Sequence, residues 1–188
     1  MIMAVRLPMS MTQFLDWEAR QEIKHEFDGE AAAAMTGARV AHVAIQGNLL
    51  AALLARLRGT PCRPYGSDLQ LRAQGRVRYP DAMVVRSPLA PDDGFCANPT
   101  VVFEIISPSS ARTDRIAKVR EYWEIPSILH YVILEQGLVS ALHCVRAAGK
   151  WQTTLLGPDD RLVFPEIGVS LALAELYDGL DFTDPSAG

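Results

Sequence analysis

Between residues 40 and 57 the apolar side chains Val40, Val43, Gly47, Leu50, Leu54 and Leu57 recur at alternating steps of three and four. That spacing lines up one face of an α-helix. Gly59 and Pro61 follow and stop it. Elsewhere the pattern shortens to that of strands. Thr100–Ile106 is a continuous run rich in β-branched residues and reads as a central strand covered on both faces. Further strands are expected at Cys62–Leu71 and Arg76–Arg86, with Gly75 in the turn between them, and at Leu129–Glu135, Val139–Arg146 and Lys150–Leu156. Near the start, Ser10–Thr12 can cap a helix reaching about Gln21, and Asp28-Gly29 marks a hairpin turn between two short strands. Ser107-Pro108 ends the central strand, and Ser109, Ser110 or Thr113 can cap a helix to about Glu124. Ser87–Pro99 reads as a surface loop and Leu171–Tyr177 as a short final helix.

Helix, hairpin, helix, strands, helix and strands in that order predict an α/β fold, a central mixed β-sheet flanked by helices. At 188 residues the expectation is a single domain over 1–188, with its core at about 12–180 and loose ends before Pro8 and after Asp181. Apolar residues make up 49% of the chain, enough for a substantial core.

Composition narrows the function more than it names it. No stretch resembles a secretory signal, and no run of about 18 uncharged apolar residues stands out as a membrane span, so a soluble cytoplasmic protein is expected. Cys62, Cys96 and Cys144 are far apart and form no CxxC pair, which argues against a zinc site or a disulfide framework. A net charge of −4 is unlike a general nucleic-acid binder, although arginines gather at 72–86 and basic residues at 112–120. These two clusters are either solvated faces or local phosphate contacts. No GxSxG elbow, P-loop or GxGxxG after a strand is present.

Two acids stand out by context. Asp81 follows Pro80 within a strand whose other members are apolar (Val84, Val85), and Glu104 lies inside the run Val101–Ile106. A carboxylate there must be paired, protonated or bound to a metal. Either Glu104 is a buried acid satisfied by a lysine or arginine, or it is half of a site. Two carboxylates on neighbouring strands can hold a hard divalent ion such as Mg²⁺ and leave positions for water.

Pro80-Asp81, then Glu104-Ile105-Ile106-Ser107-Pro108, then Asp114, Lys118 and Tyr122 resemble the Uma-type restriction-endonuclease group of the PD-(D/E)XK nuclease superfamily. His25-Glu26-Phe27-Asp28-Gly29-Glu30, His42 and the closing Phe164-Pro165-Glu166-Ile167-Gly168-Val169 match as well, so the resemblance spans about Thr12 to Leu180. It implies a restriction-endonuclease-like core and Mg²⁺-dependent cleavage of DNA, with Mn²⁺ a possible substitute. Asp81 and Glu104 match the two metal-binding acids, and Glu26 an additional acid from an early element. The pattern's lysine would fall at 106, where this chain has Ile106. Lys118 is the candidate replacement, with a surface ion pair to Asp114 as its bland alternative. His42 and Gln46, one turn apart, either serve the site or lie on the helix surface. Asp68 either supports it or ends a strand. The resemblance also implies DNA as partner and allows a homodimer. The missing motif lysine and the acidic charge keep a second reading open: a catalytically degenerate nuclease-like fold that binds nucleic acid or protein.

Overall fold

A computed structural model describes residues 9–35, 37–106 and 112–182, with the side chains of 112–116 excepted. Helix α1 (Met11–Glu18) begins with a capping box, in which Ser10 and Gln13 satisfy each other's main-chain N–H. Strands β1 (His25–Phe27) and β2 (Ala32–Ala34) form the expected hairpin. Its turn is fixed by the Asp28 carboxylate, which accepts from the N–H groups of Glu30 and Ala31, and by Gly29 at φ +100°. Helix α2 (Val40–Leu57) follows, then β3 (Arg63–Gly66), β4 (Gln70–Ala73), β5 (Arg76–Arg78), β6 (Ala82–Val85), β7 (Phe95–Cys96) and β8 (Val101–Ile106). Helix α3 (Arg112–Trp123) links β8 to β9 (His130–Glu135), and β10 (Ala141–Ala147), β11 (Lys150–Leu156), β12 (Arg161–Phe164) and β13 (Val169–Ala172) complete the order.

The strands form two larger sheets rather than one. A six-stranded mixed sheet runs β11-β10-β9-β8-β6-β3, and a five-stranded sheet runs β2-β1-β5-β4-β7. In the larger sheet only β8 and β9 are parallel. That is the pair which needs a crossover, and α3 supplies it. One long strand was expected at Cys62–Leu71 and another at Arg76–Arg86; each is split between the two sheets. Pro80 explains the second break, since it has no N–H to give a ladder. Asp81 consequently lies just before β6, not within a strand.

The closing helix expected at Leu171–Tyr177 is instead β13, paired with β12, and then a 3-10 turn at Ala174–Tyr177. Leu162, Phe164, Val169 and Leu171 of this small hairpin complete the core on the α2 side of the main sheet. Within the expected surface loop 87–99, Phe95 and Cys96 form a short strand against β4. The expected stop at Ser107-Pro108, the caps at Ser109 and Ser110, and the loose residues 1–8 and 183–188 lie outside the described residues.

Helix α2 has the expected bounds but presents a different face. Ile45, Leu49, Leu53 and Leu57 are buried, whereas Val40, Val43 and Leu54 of the stripe read from the sequence are 83%, 56% and 55% exposed. The helix is turned so that His42 and Gln46 reach the start of β6. By length and composition α2 could cross a membrane; here it covers the main sheet.

This orientation gives a direct test. Leu49→Ala is expected to cost about 2–5 kcal/mol, and Val43→Ala to stay within about 0.5 kcal/mol of the parent. Urea denaturation reads both, and equal losses at the two positions would contradict the assigned face.

Candidate active site

Alternation along β8 separates its side chains onto two faces. Val101, Phe103 and Ile105 point into the core under α2, and Val102 packs in the core on the opposite face. Glu104 shares that opposite face and is only 5% exposed. Helix α3 satisfies it there. Lys118 Nζ lies 3.1 Å from both carboxylate oxygens, and the Tyr122 hydroxyl donates to Oε1 at 2.7 Å. The i, i+4 spacing of these residues puts them on one side of the helix.

The same lysine reaches Glu26 Oε1 at 3.2 Å. Glu26 sits between two inward residues of β1, His25 and Phe27, and so faces α3. Its Oε2 meets Arg78 Nη1 at 3.3 Å, and the Tyr79 N–H donates to its Oε1 at 3.3 Å. Arg78 is held in turn by a forked pair to Glu121, at 2.8 and 2.7 Å.

Asp81 joins this group through the backbone. Its Oδ2 accepts the Ile105 N–H at 2.6 Å, tying it to β8 one residue from Glu104. Its Oδ1 is 2.9 Å from His42 Nε2, and Gln46 donates to its carbonyl at 2.8 Å and to Ser67 Oγ at 3.0 Å. His42 and Gln46 are therefore contacts of Asp81 rather than surface residues.

The electrostatics follow from burial. Glu104 is pushed up to about 7, first by burial and then by the charges of Asp81 and Glu26, with Lys118 opposing. Burial works against the Lys118 charge, but Glu104 and Glu26 outweigh it and hold the ammonium above its ordinary range. The hydrogen bond to Asp81 raises His42 against its own burial. Burial, followed by the Glu104 charge, keeps Tyr122 protonated well beyond a free tyrosine.

This donor set fits a hard divalent cation, because Asp81 beside β6 and Glu104 on β8 offer carboxylate oxygens and Glu104 carries a charge disfavoured by burial. The fit rests on two acids: among the described residues, no three His, Cys, Asp or Glu side chains converge to hold a metal. Asp81, Glu104 and Glu26 each have both carboxylate oxygens engaged by protein groups.

The other singled-out residues scatter. Asp68 lies in the turn between β3 and β4, paired with Lys24 and almost fully exposed. The Asp114 side chain lies outside the described residues. Arg78, Glu121, Tyr79 and Ser67 were not singled out individually from the sequence; an arginine and a glutamate on an ordinary polar pattern carry no local signal of being paired.

On the opposite face of the main sheet is a second buried polar group. His130 Nδ1 is 3.0 Å from His143 Nε2, and His130 Nε2 is 2.6 Å from Glu166 Oε2. Phe164 packs edge-on against both rings. Burial, then the neighbouring His130, pushes His143 down to about 4.

Three comparisons set these features among known proteins. A family model, Uma2, described as "Putative restriction endonuclease", matches residues 11–174. The Synechocystis sp. protein slr1290 is 32% identical over 179 residues, covering 93% of this chain and 94% of its own. A second Synechocystis protein, sll1609, is 25% identical over 171 residues, covering 87% and 97%. Among solved structures, one from Anabaena variabilis described as a "putative nuclease belonging to DUF820" superposes with a TM-score of 0.75 at 16% identity, covering 90% of this chain and 98% of that one. At that identity the likeness concerns the fold, and it agrees with the α/β architecture above.

Two outcomes follow from the buried charges. Lys118→Met removes the cation shared by Glu26 and Glu104 and is expected to cost about 3–5 kcal/mol. Adding Glu104→Gln should recover part of that loss, because an amide needs no counter-charge; a double mutant no more stable than Lys118→Met would show that the ammonium does not offset Glu104. For His143, the unfolded chain takes up the proton near 6.5 and the folded chain near 4. Stability is therefore expected to fall as pH drops through that window and to level off below it, by up to about 3 kcal/mol. Denaturation at pH 7 and pH 4 measures the drop, which His143→Gln should shrink.

Proposed function

The chain belongs to the Uma2 family, and from that premise we propose that it is a Mg²⁺-dependent nuclease hydrolysing DNA phosphodiester bonds at the site around Glu104. One observation carries the reading: Asp81, just before β6, is tied through the Ile105 N–H to β8 one residue from Glu104, with Lys118 3.1 Å from Glu104. That is two acids and a lysine, the lysine arriving from α3 while Ile106 occupies the strand position expected for it.

Asp81 and Glu104 would hold Mg²⁺, with Mn²⁺ as a substitute. Bound there, the ion would supply a Lewis acid for the phosphoryl oxygen and lower the pKa of water. The protein's own groups do the rest. Ile105 and His42 fix the orientation of Asp81, and Tyr122 fixes that of Glu104. Lys118 has two anchors. With Mg²⁺ held at Glu104, Glu26 would still retain the Lys118 ammonium at the edge of the site, where it could face the charge that grows on the phosphate. Glu26 thereby acts as a positioning residue for Lys118. A homodimer would present two such sites to a duplex.

A second reading rests on the closed pairing of Lys118 with both acids. In it the ion pair is purely structural, and the chain binds nucleic acid or protein without turnover.

Calorimetry with Mg²⁺ and Mn²⁺ separates the two. The wild type is expected to bind, and Asp81→Asn/Glu104→Gln to lose binding and cleavage of supercoiled plasmid while keeping its fold. Lys118→Ala should retain metal binding and lose about 10²–10³-fold in cleavage rate. Cleavage that survives in the Asp81→Asn/Glu104→Gln protein would overturn the nuclease assignment.

A further inference from the structure

Around α3 from Lys118 and Tyr122, the neighbouring face carries Val119, Arg120 and Trp123. These look across a pocket of about 490 Å³ at Lys150 and Trp151 of the β10–β11 hairpin. The two indoles are 5.1 Å apart at 60° to one another. Arg146 lies against both, its guanidinium carbon 4.0 Å from the Trp123 ring centre and 4.8 Å from that of Trp151. The arginine is itself locked in place. Its N–H groups donate to the carbonyls of Trp123, Ile125 and Ile128 at 2.7, 3.1 and 2.8 Å. The aromatic pair is thus held in position rather than free to collapse, which keeps the pocket open. Arg120 and Lys150 are exposed at its rim. The acid that also lines it, Glu124, is paired with Arg76 at 2.6 Å.

Two fixed aromatic faces with cations at the rim suit a ligand that is planar and anionic at once. A duplex hides its base faces, whereas a single strand offers both base and phosphate. Proximity adds to this. Val119 and Trp123 directly follow Lys118 and Tyr122 in sequence, so the pocket and the acids occupy adjacent faces of the same turns of α3. We infer that this pocket binds an unpaired base of a single-stranded DNA segment, with Arg120 and Lys150 on its phosphates. The inference rests on the nuclease reading and specifies its substrate as a strand with at least one unstacked nucleotide near the cleavage point.

The test is tryptophan fluorescence and oligonucleotide anisotropy in EDTA, so that cleavage plays no part. The probe is a mixed-sequence 12-mer, single-stranded and as its duplex. The single strand is expected to quench the fluorescence and to bind at least tenfold more tightly than the duplex. Arg120→Glu/Lys150→Glu, both at exposed positions, should weaken binding at least tenfold and flatten its salt dependence. Trp151→Leu should remove most of the quenching, with a thermal melt to verify its fold. Equal binding of both DNA forms, or charge-reversed protein that binds like the wild type, would overturn the inference. The Asp81→Asn/Glu104→Gln protein should keep the preference for the single strand over the duplex. Failure of the metal site therefore shows in calorimetry and cleavage, and failure of the pocket shows only here.

Discussion

A carboxylate in the middle of the central strand is the constraint that the other polar interactions around it answer. Glu104 is 5% exposed, between β6 and β9 in the main sheet. Left alone, such a charge would cost about 3–5 kcal/mol, a large share of a domain's margin of stability. Lys118 and Tyr122 remove that cost from one side, and they can do so because α3 is the crossover from β8, which carries Glu104, to β9. Lys118 then needs more anion than Glu104 alone supplies, and Glu26 on the other sheet provides it. Glu26 in turn is held by Arg78, and Arg78 by Glu121, back on α3. The chain of pairs joins both sheets and the helix, so the acid that is hardest to bury also fixes how they meet.

The same site accounts for the setting of α2. Its buried line is Ile45, Leu49, Leu53 and Leu57, while Val40, Val43 and Leu54 face outward. On the inward edge, His42 holds the Asp81 carboxylate and Gln46 its carbonyl. Two hydrogen bonds to a buried acid favour the same orientation as the burial of one isoleucine and three leucines.

How far the sequence reveals this depends on whether a feature is local. The hairpin at Asp28-Gly29, the bounds of α2 and the β8 run were legible because turn chemistry and periodicity act over a few residues. Asp81 and Glu104 were legible as anomalies, acids where apolar residues belong. The split of 62–86 between two sheets was not, because nothing local says which partner a strand will take; only Pro80 hinted at a break. The helix expected at Leu171–Tyr177 is helical only in the 3-10 turn at Ala174–Tyr177 and begins inside β13, because Leu171, Leu173 and Leu176 suit either period in so short a stretch. Arg78 and Glu121 could not be paired from sequence, being 43 residues apart.

A lysine on α3 differs from one on the strand in more than its address. At 106, a lysine would share β8's face with Glu104, and its reach would be set by the pleat alone. That position now holds Ile106, packed against the core on the α3 side. From 118 the ammonium descends onto both oxygens of Glu104 and still reaches Glu26. Such a lysine has a resting partner on each side. With a carboxylate on each side, Lys118 keeps its ammonium inside a buried, acidic site, where the dielectric is low.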